Sequence, residues 1–324
     1  MSEIAHPAPD GWLKRFFLSL VILALLAGLL LVPWAVCWLT ASGELDQEEV
    51  VARQAQGEFV LFGPGLAQDI MAYKLALYAA VKPEVVVLGS SRAGNVRAAF
   101  FERPFVNMAG AATDLESLRL LVDRMLAVHR PRVVLLGLDF WWLTAGAPAG
   151  RPERIVQPSL LDASTLRAPW RWLVQGRIAP ADMLAPLQHR LRADRYGLEA
   201  QLRDTGYGPD GSLYEGAVLD GRRPAPDHAF ARTLRELESG SGVWAGSLAP
   251  DRERLEAFAE ICCRLRSRGI RTIVFLPPLA TPVLGALADR NGGDAGWLSA
   301  LRQGLLDCGV ESMDFSDPRV YGSG

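Results

Sequence analysis

The sequence predicts an α/β fold: a parallel sheet of about five strands with helices on both faces. Short apolar runs stand at 85–88, 105–108, 132–138 and 270–276, the first three closing near Gly, Asn or Asp, and 310–315 repeats the helix-then-strand pattern once more. Stretches with apolar residues at helical spacing separate them. The run Val85-Val86-Val87-Leu88 is apolar without alternation, as in a strand buried on both faces.

Composition narrows the function. A chain of 324 residues, half of them apolar, is long enough for one large core or two small ones. Acidic residues number 36 against 34 basic, and no basic stripe or aromatic-basic interleaving appears, so no nucleic-acid partner is expected. Cys37, Cys262, Cys263 and Cys308 have no metal-binding spacing, and neither a metal nor a cofactor is expected. Cys308 has two candidate partners, Cys262 and Cys263, for a disulfide in an oxidising compartment. A small buried hydrophobe is the favoured role for these thiols.

Taken in order, residues 1–15 read as a cytoplasmic tail and 16–39 as a transmembrane helix. The stretch from Phe16 to Leu39 carries no charge and matches the roughly 20 residues needed to cross about 30 Å of hydrocarbon. Lys14 and Arg15 precede it, while Glu44, Asp46, Glu48 and Glu49 follow, which places the N-terminus inside and the bulk outside. Trp12, Trp34 and Trp38 lie near its ends, where interfacial aromatics belong. The expected location is therefore a bacterial inner membrane, crossed once, with a periplasmic globular part.

Residues 40–63 read as a polar linker. A helix is expected from Pro64 to Ala80, then the strand 85–88, then a strand at 105–108. Thr113 and Glu116 have the spacing of a capping box for a helix facing inward through Leu115, Leu118, Val122, Met125 and Leu126. His129 closes that helix as a structural imidazole and Pro131 stops it. After the strand at 132–138, residues 147–250 read as a folded insertion leaving the carboxyl end of the third strand, where a lid or substrate selector would sit. A helix over 251–268 leads to the strand 270–276, and 294–307 with 310–315 repeat the pattern. Five such strands make a flavodoxin-like layer.

The stretch that carries chemistry is Gly89-Ser90-Ser91-Arg92 at the end of the first long strand. Strand, tight turn and helix present a serine at the mouth of the crevice, beside amides of a helix start. Downstream stand Val106-Asn107-Met108-Ala109-Gly110 and Gly137-Leu138-Asp139. This succession resembles the SGNH (GDSL-like) hydrolase superfamily, with Gly89-Ser90-Ser91 at its Gly-Asp-Ser block, Asn107 to Gly110 at its glycine block and Gly137-Leu138-Asp139 at its Gly-x-Asn block. The membrane-anchored layout is most similar to members acting on acyl esters of envelope polymers, such as alginate O-acetyltransferases and D-alanyl-lipoteichoic acid proteins. The resemblance implies Ser91 as nucleophile, with the amides of Ser91 and Gly110 as oxyanion donors. It also implies a polysaccharide or other acylated envelope glycan as partner, in company with the inner membrane and envelope-assembly proteins.

Two departures stand out. The superfamily's third donor is an Asn side chain, whereas Asp139 occupies the matching position, and an ionised carboxylate offers no proton. Asp139 is either held neutral, or turned away onto Arg92, or part of a weak site, with the Arg92 pairing favoured. Asn107 is a substitute donor if its side chain turns toward the crevice. The superfamily's Asp-x-x-His block has no histidine at 314–320, so the chain reads as C-terminally truncated. His189 and His228 fall in the insertion and read as solvated; His6 is cytoplasmic.

Trp141 and Trp142 follow Asp139 at the rim, where an aromatic face stacks on a sugar; packing against the insertion is the alternative. The expected substrate-binding set is Arg92, Asn107, Trp141 and Trp142. The first functional reading is an anchored serine esterase or O-acyltransferase. The second is a non-catalytic relative that binds glycan or an assembly partner through the same crevice.

Overall fold

The computed structural model describes residues 10–66, 70–145, 158–188, 190–222, 224, 227–245, 249–291 and 296–321. His6 and His189 lie outside these residues, as does the first part of the expected insertion. Helix α1 (Asp10–Ala41) is long and apolar enough to cross a membrane. After it come α2 (Gln47–Ala55), β1 (Leu61–Phe62), α3 (Ile70–Val81) and β2 (Val85–Gly89). Next are β3 (Phe105–Asn107), α4 (Leu115–Val128) and β4 (Val133–Gly137). The segment after β4 holds α5 (Ala163–Val174), β5 (Arg195–Tyr196), α6 (Leu198–Arg203), β6 (Thr205–Tyr207), β7 (Leu213–Glu215), α7 (Gly216–Leu219) and α8 (Ala231–Ser239). The chain continues through α9 (Arg252–Ser267), β8 (Arg271–Leu276), α10 (Thr281–Asn291), α11 (Gly296–Leu306) and β9 (Glu311–Asp314).

The large sheet runs β3-β2-β4-β8-β9, every pair parallel, so it is the five-stranded α/β sheet expected. Chain order reverses between β2 and β4, which register Val85 with Val133 and Gly89 with Gly137. In open α/β sheets such a reversal is where a ligand crevice forms, at the carboxyl ends of the two strands. One face of the sheet presents Val86, Leu88, Val106, Val134, Leu136 and Val274. With residues of α3, α4, α9 and α11, such as Leu77, Leu118, Phe258 and Leu305, they form the main core.

The other face carries Val85, Val87 and Phe105. It is covered by Ala93, Val96, Ala98 and Phe101 from the connection between β2 and β3, which forms 3₁₀ turns rather than a helix. The expected helical cover on both faces is therefore replaced there by short turns. The crossover, residues 90–104, is long enough to join two adjacent parallel strands, and it does so through two 3₁₀ turns, Ser91–Asn95 and Ala98–Phe100.

Residues 40–63, expected as a linker, are folded. Val50, Val51 and Gln54 bury one side of α2, and β1 pairs parallel with β5 and antiparallel with β6. The small sheet β5-β1-β6-β7 thus joins the segment after β4 to the chain ahead of β2. Buried Glu44 adds a tie by accepting from the amides of Leu66 at 2.5 Å and Leu198 at 2.8 Å. A second core gathers Trp38 and Leu39 of α1 with Leu66, Ala168, Trp172, Ile178 and Leu198. Cys263 and Cys308 are disulfide-bonded, whereas Cys262 is a buried free thiol.

Candidate functional site at the serine turn

Two glycines shape the turn. Gly89 has φ +125, and a Cβ there would run into the Gly137 carbonyl across the β2–β4 pair. A side chain would push the two strands apart at the mouth of the crevice. Ser90 then caps the 3₁₀ turn Ser91–Asn95, its hydroxyl accepting from the Arg92 amide at 3.2 Å. Ser91 is exposed. Its N–H is the first of that turn and has no acceptor within it. Gly110, with φ +82, stands beside Ser91: a Cβ on it would lie 3.9 Å from the Ser91 Cα.

Ser91, Gly110 and Asp139 thus gather at one end of the sheet. Their remaining bonds decide what chemistry they support. The Gly110 amide donates to the Gly89 carbonyl at 2.8 Å, so the second expected oxyanion donor is already engaged. Asn107 is fully buried. Its Nδ2 donates to the carbonyls of Ala93 at 2.9 Å and Val96 at 2.8 Å, and its Oδ1 accepts from the Ala109 amide at 2.8 Å. Asn107 therefore braces the serine turn from beneath and is not a crevice donor. Every polar atom of its amide group is engaged inside the fold.

Arg92 ties three strands together at their carboxyl ends. Nη1 donates to Asp139 Oδ1, while Nη2 donates to the carbonyls of Pro277 at 2.6 Å and Pro278 at 2.7 Å beyond β8. The guanidinium also lies 5.4 Å from the Trp141 ring centroid. Of the fates open to Asp139, the pairing with Arg92 is the one realised. Asp139 is fully buried, and burial raises its carboxyl above the ordinary range despite the opposing effects of the Arg92 charge and the Ser90 hydroxyl. Its Oδ2 makes no hydrogen bond of ordinary geometry even though Ser90 is near enough to favour the charged form.

The two tryptophans part ways. Trp142 is 3% exposed and belongs to the main core rather than to the rim. Trp141 is half-buried and packs with Phe140 at 5.3 Å and Trp244 at 5.1 Å between ring centroids. Packing against the segment after β4 is therefore its main role.

The imidazole among the described side chains, His129, sits at the far end of the sheet. It ends α4, with its Nε2 3.1 Å from the carbonyl of Pro83, which precedes β2. His228 opens the short turn His228–Phe230.

Sequence reasoning missed a buried strut behind the turn. Lys74 of α3 is fully buried, donating to the Asn107 carbonyl at 2.9 Å and to the Gly211 carbonyl, with its Nζ 4.1 Å from the Tyr207 ring centroid. Asp210 accepts from the Ala98 amide at 2.7 Å, and its own carbonyl accepts from the Asn107 amide at 2.7 Å. Arg97 reaches Ser212 Oγ at 2.9 Å and lies 3.7 Å over Tyr214. The available signal was one lysine in the otherwise uncharged Ile70–Val81 helix. Such a cation needs buried acceptors.

No family model, curated protein or solved structure matches the chain. Its class is defined by fold and site: an α/β protein with a serine turn at the reversal point of a parallel sheet and one N-terminal helix of membrane-spanning length.

Proposed function

We propose that this is a membrane-anchored, SGNH-like protein with a flavodoxin-like sheet, whose serine crevice binds an acylated envelope glycan without hydrolysing it. The expected setting is a bacterial inner membrane crossed once, with the globular part in the periplasm. One observation carries the reading: the side chains and the Gly110 amide expected to serve the serine are already bonded within the fold. Arg92 holds Asp139, Asn107 holds the turn, and the Gly110 amide holds Gly89. Acyl transfer needs donors free at the place where negative charge develops. A crevice with its donors closed off and its serine turn braced is better suited to holding a ligand.

The polymer is named from the superfamily resemblance. Retention of the full chain on immobilised O-acetylated polysaccharide, compared with the deacetylated polymer, tests it. Ser91→Trp fills the exposed mouth without disturbing the core and should abolish selective retention. Equal retention on both polymers, or retention untouched by Ser91→Trp, refutes the binding reading.

A second reading, a serine esterase or O-acyltransferase working through an acyl-Ser91 intermediate, draws on one feature. Ser91 is exposed, and its N–H opens the turn without an acceptor in it. That leaves one oxyanion donor in place.

A further inference from the structure

Helix α1 does not leave the globular part as a free tether. The indoles of Trp34 and Trp38 both donate to the Met183 carbonyl, at 3.0 and 3.1 Å, and the Trp170 indole donates to the Leu31 carbonyl at 3.2 Å. The Trp34 and Trp170 rings pack against each other at a 38° tilt with centroids 4.0 Å apart. Counted from Phe16, the ~20 residues that cross about 30 Å of hydrocarbon end near Ala35. The globular part already grips α1 at Leu31. About 6 Å at the end of the span therefore lies at the same depth as Trp170.

Large apolar side chains stand in solvent within a turn of these contacts. Val174 is 87% exposed, Leu187 64% and Leu184 51%. On α5, Arg167, Trp170, Arg171 and Val174 recur at i, i+3, i+4 and i+7, which puts them on one face. The opposite face buries Thr165, Ala168, Pro169 and Trp172. Neither Arg167 nor Arg171 has a carboxylate partner among the described residues. A stripe of arginine, tryptophan and apolar residues is how helices lie in a headgroup layer.

We infer that the face formed by Arg167, Trp170, Arg171, Val174, Leu184 and Leu187 is seated in the surface of the bilayer that α1 crosses. The arginines meet lipid phosphates and the apolar side chains reach the acyl boundary. The bilayer is the occupant because α1 emerges from this face and enters the lipid. The globular part is thereby held at a fixed height rather than swinging on its anchor. This inference rests on the membrane-spanning reading of α1, and the test separates the two.

The full chain, with Cys37→Ser, is reconstituted into phosphatidylcholine vesicles containing one quarter phosphatidylglycerol. It carries an environment-sensitive fluorophore on one introduced cysteine: Val174→Cys, Leu187→Cys, Leu23→Cys within the span, or Leu306→Cys on α11 as the aqueous reference. Quenching by lipids spin-labelled near the headgroup should be at least about threefold stronger at 174 and 187 than at 306. Arg167→Glu with Arg171→Glu should lower it toward the reference value. Strong quenching at 23 by deep spin labels, with 174 and 187 no different from 306, overturns this inference alone. An unquenched label at 23 overturns both it and the spanning reading. Quenching unchanged by the two glutamates overturns the assignment of the arginines to lipid phosphates.

Discussion

Arg92→Met should be the most damaging single substitution in the serine turn, for a reason unrelated to catalysis. It keeps most of the aliphatic stem but leaves buried Asp139 without its cation and strips a donor from the Pro277 and Pro278 carbonyls. Removing one partner of a buried ion pair costs about 3–5 kcal/mol. A ceiling is set because the carboxyl can take up a proton instead, which at pH 7 costs about 4 kcal/mol from an ordinary aspartate. The Arg92 side chain is 24% exposed, so water moderates the loss and about 3 kcal/mol is expected. In a chain of this size that is a fall in Tm of roughly 6–10 °C.

The effect depends on pH in a definite direction. The folded-state pKa of Asp139 is raised above 3.8, so the folded protein holds that proton more tightly than the unfolded chain. This contribution to stability is fully present below 3.8 and is lost as pH rises through the raised value. Without Arg92 the raised value climbs further. The variant should then be close to wild type near pH 4 and fall away toward neutrality. Circular-dichroism melts of the detergent-solubilised chain across that range measure it. Arg92→Met combined with Asp139→Asn should recover much of the loss, because no charge is then stranded. A loss of the same size at all pH values, or no recovery in the double variant, would refute the clamp.

Three further outcomes follow from neighbouring groups. Asn107→Ala removes three buried hydrogen bonds and strands their partners, so it should cost at least about 2–3 kcal/mol in urea unfolding, and a cost below about 1 kcal/mol would discount Asn107 as a brace. Burial lowers Lys74 from 10.5 to about 7, so the folded state binds fewer protons than the unfolded chain between those values and stability should rise with pH across them. Lys74→Met should flatten that slope between pH 7 and 9, and an unaltered slope would place its origin elsewhere. Protease added outside spheroplasts should digest the globular part; full protection with loss of the N-terminal tail would reverse the topology.

The large sheet was readable because four of its strands are apolar runs with no competing helical period and the fifth, β9, follows a helix in the same repeating pattern; each lies within a residue or two of its expected place. The helix cap was misplaced by one residue: Asp114 and Ser117 form the reciprocal box rather than Thr113 and Glu116. Either pair has acceptable cap chemistry, and only the entry angle of the chain decides between them. Helix α2 was missed because its buried side is only Val50, Val51 and Gln54 within a charged stretch. No element was expected between 276 and 294, where α10 starts with Pro282 in its first turn, a position at which proline is well tolerated.

At the site, the Arg92–Asp139 pair was legible because a buried carboxylate beside an arginine has few other outcomes. The engagement of the Gly110 amide and the Asn107 side chain was not, since both depend on how the backbone closes between β2 and β3. The small sheet was also beyond reach, because β1 and β5 are two residues each and carry no period.

The most direct test of whether the serine turn is closed to catalysis is labelling of the purified full chain with a fluorophosphonate probe, read by peptide mass spectrometry. An activated serine reacts with such a probe because a base and oxyanion donors surround it. With Arg92 on Asp139 and the Gly110 amide on Gly89, no adduct should form at Ser90 or Ser91, in the wild type or in Asp139→Asn. A stoichiometric adduct on Ser91, lost in Ser91→Ala, would contradict the binding reading and establish the esterase or acyltransferase in its place.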